Sequence, residues 1–123
     1  MATENGTVND LLEACITIHF DQQNSLICVI DTGFSGTLML PRSFIAQLPA
    51  QQIGTEFFTL AGGQEIESEI FVVAAFWFGK QKFINVVASN AEDALIGTEL
   101  LRDSVLRINY ATSQVEIKND QES

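Results

Sequence analysis

Leu26-Ile27-Cys28-Val29-Ile30-Asp31-Thr32-Gly33-Phe34-Ser35-Gly36 is the stretch on which the fold turns. Five consecutive apolar residues run straight into a carboxylate, and two glycines follow it. Such a run predicts a strand buried on both faces. Asp31 then stands where a buried strand ends, and burial without partners disfavours its charge. Gly33 and Gly36 let the backbone turn sharply and aim N–H groups back at the carboxyl. A hydrogen-bonded carboxylate in a tight loop is a candidate acid or base. Read alone, the tripeptide is an ordinary turn after a strand, since Asp, Thr and Gly are common turn residues.

The flanks read as β-structure. On the N-terminal side, Ala14-Cys15-Ile16-Thr17-Ile18-His19-Phe20 is strand-like, and polar residues 21–25 join it to the Asp31 strand as a hairpin. On the other side come Thr37-Leu38-Met39-Leu40 and a helix opening at Pro41 and running through Phe44, Ile45 and Leu48. A second hairpin spans residues 53–78, with adjacent glycines in its turn, Ala61-Gly62-Gly63-Gln64. Its return strand alternates Glu65, Glu67 and Glu69 with apolar or small residues, so one face is wet, and residues 71–78 should be fully buried. A turn at Gly79-Lys80 leads to a strand over 83–88. Ala94-Leu95-Ile96-Gly97 precedes a short helix over 98–103, which Thr98 caps and Glu99 favours. Two strands, 105–110 and 114–118, close the chain.

The 123 residues suffice for one domain, and 46% hydrophobic with 18% charged is a globular composition. We divide the chain into a flexible N-terminal segment 1–13, a domain over 14–118 and a tail 119–123. A net charge of −10 argues against nucleic acid, which needs clustered Lys and Arg. No apolar run approaches the ~20 residues of a membrane span, and no export signal is visible, so the cytoplasm is the default expectation. Cys15 and Cys28 read as reduced core residues. The single histidine, His19, reads as a solvent-facing strand residue, Trp77 as core or interface, and the Glu ladder as a solvated face.

The Asp-Thr-Gly after an apolar strand, the glycine-tipped hairpin, and Ala94-Leu95-Ile96-Gly97 roughly sixty residues later occur in an order that resembles the retropepsin-like aspartic proteases. These are the retroviral proteases and their short bacterial relatives. The resemblance covers residues 16–117. It implies an all-β, closed, barrel-like acid-protease fold with one or two short helices. It also implies a catalytic Asp31, with Thr32 bracing the two loops across a dimer and Gly33 supplying a backbone donor. Ala61, Gly62, Gly63 and Gln64 would form a flap over the substrate. Phe34 and Ile96, with Phe57, Phe58 and Leu38, would line the cleft. No metal or cofactor is implied.

One Asp-Thr-Gly per chain has a physical consequence. Aspartic proteases need two carboxyls about 3 Å apart sharing one proton. Asp103-Ser104 is followed by Val105, so no second motif exists. The implied enzyme is therefore a homodimer cutting a peptide or protein substrate, each copy donating Asp31. Phe34, Ser35 and Thr98 stand where the family commonly has Ala, Asp and Arg. Without that Arg the dimer must be held elsewhere, as at the termini, and Phe34, bulkier than Ala, is expected to reshape or narrow the pocket beside Asp31. Two other readings stay open: a catalytically silent peptide-binding or dimerisation module of the same fold, and a β-barrel interaction module in which Asp31-Thr32-Gly33 is only a turn.

Overall fold

The computed structural model describes residues 2–59 and 61–119. The chain forms strands β1 Thr3–Val8, β2 Ala14–His19, β3 Ser25–Ile30, β4 Leu38–Pro41, β5 Gln51–Thr59, β6 Glu65–Trp77, β7 Lys80–Ser89, β8 Leu95–Ile96, β9 Ser104–Asn109 and β10 Gln114–Asn119. A single helix, α1 Arg42–Ile45, is found among the described residues. The strands form one sheet in the order β5-β6-β7-β4-β8-β3-β2-β1-β10-β9. The sheet curls until β2 meets β6 at one pair, His19 with Phe76. That single pair makes a partial ring of six strands, β6-β7-β4-β8-β3-β2. No helix among the described residues is long and apolar enough to cross a membrane.

Inside the curl lies the main core, with Ile16, Ile18, Cys28, Leu38, Val73, Trp77, Val86, Ile96 and Ile117 at its centre. Because successive side chains on a strand face opposite ways, Met39 and Val87 point away from it. They form a second, smaller core with Phe34 and Ile70, against which Phe58, Ile66 and Leu95 pack. Strand β4 is therefore buried on both faces, with Leu38, Met39 and Leu40 at most 5% exposed. Cys28 is fully buried, and burial pushes its thiol up to about 12, so it stays protonated. Cys15 and Cys28 are both free thiols.

Several expectations are corrected. The segment 1–13 is not free: β1 lies between β10 and β2. Backbone pairing to two open edges carries this polar strand, with Thr3–Thr7 opposite residues 114–118. A Cβ on Gly6 would stand 1.9 Å from the Cys15 carbonyl oxygen, so the glycine is what admits β1. Both terminal strands are thus paired within the chain rather than left for a partner. The expected tail 119–123 lies outside the described residues from residue 120 onward. Strand β3 is not buried on both faces: Ile27 is 65% exposed beside Thr17 on the outer surface. Residues 71–78 alternate instead of being uniformly buried, with Val73, Ala75 and Trp77 inward and Phe76 turned out.

The helix at Pro41 stops at Ile45 and tightens, Gln47 and Leu48 donating to Phe44 and Ile45 three residues back. Residues 98–103 form turns, not a helix. They are too few for a stable helix between Gly97, which bonds Thr37, and Asp103, which takes φ 61°.

Candidate functional site

Strands β3 and β4 are joined by residues 31–37 but do not pair. Strand β8 lies between them, parallel to β3 through Val29–Leu95 and Ile30–Ile96, and antiparallel to β4 through Leu38–Ile96. The loop must therefore arch over the end of β8, and backbone bonds lock it there. The Asp31 N–H donates to the Ile96 carbonyl at 2.9 Å, and the Gly97 N–H to the Thr37 carbonyl at 2.9 Å. Thr98 and Glu99 donate to the carbonyls of Phe34 and Gly36 at 2.9 and 3.1 Å. Within the loop, the Phe34 N–H reaches the Asp31 carbonyl at 3.1 Å, and the Gly33 N–H reaches Asp31 Oδ1 at 2.9 Å. Gly97 is required for this closeness, since a Cβ there would stand 2.2 Å from the Gly36 carbonyl oxygen.

The carboxyl of Asp31 is half-buried and Thr32 is exposed. Both line a groove of about 420 Å³ with Leu12, Val29, Ile30, Leu95, Leu106, Ile108 and Tyr110. Glu13 also lines it, its carboxylate accepting from the Asn9 side-chain amide at 3.0 Å. The Thr32 hydroxyl makes no hydrogen bond among the described residues. Over the loop hangs the β5–β6 hairpin. A Cβ on Gly33 would meet the Cβ of Ala61 at 2.8 Å, so the hairpin turn rests directly on the Asp-Thr-Gly backbone. Gly62 and Gly63 take φ 89° and 84°, the left-handed region that a glycine turn was expected to supply.

The fold thus gathers Asp31, Thr32 and Gly33 with Ala61, Gly62 and Gly63 at one place, and exposed Gln64 follows in the same turn. Three expected cleft residues, Phe34, Ile96 and Leu38, are not surface groups. Phe34 is fully buried, its ring 5.8 Å from that of Phe58, and Ile96 is fully buried in the main core. Leu38 is likewise core, whereas Phe57 is 68% exposed. On a two-residue strand, Leu95 and Ile96 must face opposite ways, which sends Leu95 to the groove. Groove residues Leu106 and Ile108 were missed. Their alternation with Val105 and Arg107 was the available signal. His19 is exposed. Glu69 of the acidic ladder is paired with Arg42. A second groove of about 470 Å³, along β1, β9 and β10, holds Arg107, Glu116 and amide side chains but no nucleophile. Among the described residues no three His, Cys, Asp or Glu side chains converge as metal ligands.

No protein-family model matches the chain, and no curated protein sequence matches it.

Proposed function

We propose that the chain is one half of a homodimeric aspartic endopeptidase of the retropepsin-like, acid-protease fold. The observation that carries this reading is the cradle of Asp31. Its Oδ1 accepts the Gly33 N–H, its loop is bonded over β8, and the glycine-tipped hairpin lies on top. The Gly33 bond alone is an ordinary turn bond, which Asp21 also makes with the Gln23 N–H. What supports the reading is that the Asp31 loop is bonded over β8, lies under the glycine-tipped hairpin and opens on a groove. The silent-module reading drew on Phe34 crowding the carboxyl, and burial of that ring under Phe58 removes the motive.

In this mechanism two Asp31 carboxyls meet across a two-fold axis and share one proton, because two charges about 3 Å apart do not both persist. The ionised Asp31 takes a proton from a water while the water oxygen bonds to the amide carbon. The protonated Asp31 gives its proton to the carbonyl oxygen. The C–N bond then breaks as the Asp31 that took the water's proton gives it to the leaving nitrogen. The other Asp31 takes a proton from a hydroxyl of the tetrahedral intermediate, which releases acid and amine and restores the single shared proton. Thr32 is exposed and its hydroxyl makes no hydrogen bond among the described residues, which leaves it free to brace the partner loop in this mechanism, and the hairpin at 61–64 would exclude water from the closed site.

Asp31→Asn keeps the size of the side chain and the Gly33 bond but removes the titrating group. Cleavage of a peptide library should fall at least about a thousandfold, with unchanged circular dichroism and unchanged mass by light scattering. A variant that cuts at the wild-type rate refutes the assignment.

A further inference from the structure

Between the β5–β6 hairpin and residues 35–37 of the Asp31 loop is a hollow of about 170 Å³ that Thr32 does not line. That is small beside the several hundred Å³ of a drug-sized site, and suits one side chain. Phe58, Ile70 and Val87 make its floor, and Ser35, Gly36 and Thr37, the continuation of the Asp31 loop, form one wall. Glu56, Asn85 and Glu99 stand at the rim. A neighbouring hollow of about 200 Å³, lined by Ile53, Gly54 and Thr55, shares Glu56, Ile70 and Asn85 with it. Together they make a trough whose bottom is apolar and whose polar edge is centred on Glu56.

The two rim carboxylates are not equivalent. Glu99 is held by Arg102 through two bonds, at 2.6 and 3.0 Å. Glu69, on the next strand, is neutralised by Arg42. Glu56 has no ion pair or side-chain hydrogen bond among the described residues. An occupant must therefore bring apolar length to cover Phe58 and Ile70, and a cation at its tip. Lysine and arginine have that form, an aliphatic stem with a charged head. A carboxylate in the same place meets like charge, and the chain's net charge of −10 adds to the discrimination at longer range.

We propose that this hollow receives one side chain of the peptide substrate and that Glu56 makes a basic residue its preferred occupant. The inference rests on the proteolytic reading above and assigns that site a substrate class. The pair is partly solvated, so the preference is modest, about 3- to 10-fold in kcat/KM for Lys or Arg over Leu at one position.

The test is a set of peptides carrying Lys, Arg, Leu or Glu at each position around one scissile bond, cut by wild-type, Glu56→Gln and Glu56→Lys proteins. Within each protein the ratio of rates is read, so a general change in activity cancels. One position should favour Lys and Arg in wild type, lose that preference in Glu56→Gln, and favour Glu in Glu56→Lys. Cleavage with no basic preference at any position overturns the inference and leaves the protease reading standing. So does a basic preference that survives in Glu56→Lys. If wild type cuts nothing, the protease reading fails, and titrating the same peptides into Asp31→Asn protein by calorimetry still decides the hollow. Equal affinity for Lys and Glu peptides there, or no affinity, overturns it.

Discussion

Glu4 shows what a single side chain contributes outside the site. It projects from β1 toward the β6–β7 turn, where its Oε2 accepts the Phe78 N–H at 2.7 Å. Phe78 sits at φ 55°, a conformation that a non-glycine residue adopts only when its neighbours hold it there. Burial raises the Glu4 pKa above its ordinary 4.5, and the Phe78 bond and the charge of His19 offset this only in part. The folded chain therefore holds this proton more tightly than the unfolded chain. The stability so gained is complete below about pH 4.5 and is lost as the pH rises through the higher folded value. Glutamine keeps an acceptor for Phe78 and has no charge to bury. Glu4→Gln should thus raise Tm relative to wild type by more at about pH 7 than at about pH 4. A difference that is constant with pH contradicts the assignment. Asp31, Gly33 and the paired glycines 62 and 63 were legible as residues because turn chemistry is local. The burial of Phe34 and Ile96 was not, because the side a residue faces depends on which strand lies beside it.

Among the elements, the antiparallel hairpins β2–β3, β5–β6 and β9–β10 could be read from alternation and from the turns between them. The insertion of β8 between β3 and β4 could not, since it joins residues more than sixty positions apart by parallel pairing that no local pattern encodes. Strand β1 was missed for a related reason. Thr3-Glu4-Asn5-Gly6-Thr7 has weak strand propensity, and only the two waiting edges make it a strand. Gly6 is the test of that claim. Alanine there would place its Cβ 1.9 Å from the Cys15 carbonyl oxygen and 2.7 Å from Ile16 Cδ1, so β1 must lift away from β2. Overpacking of this kind costs about 1–3 kcal/mol. Hydrogen exchange should show residues 3–8 losing protection in Gly6→Ala while β7 keeps it. If β1 stays as protected as in wild type, the strand does not depend on that close approach.

For the whole molecule, the proposed mechanism makes activity depend on assembly, because each chain carries one Asp-Thr-Gly carboxylate. The described terminal strands are spent on each other, β1 on β10, so the proposed homodimer would have to form through other surface. Exposed Leu12 and Tyr110, on the rim of the groove that holds Asp31 and Thr32, are apolar and adjoin the half-site. Two chains of charge −10 repel, so association should strengthen as salt screens that charge. Mixing separates a shared site from a self-sufficient one. Wild-type chains equilibrated with an equal amount of Asp31→Asn chains pair at random, and only about a quarter of the dimers then carry two aspartates, where segregated pairing would leave about half. Activity per wild-type chain should fall to about one half, and further as more variant is added. Buffer of moderate ionic strength allows the exchange, and light scattering verifies that both proteins remain dimers. With mixed dimers shown to form by native mass spectrometry, undiminished activity at every ratio would mean that each chain works alone, and the lone Asp31 would then need a second acid from within its own fold.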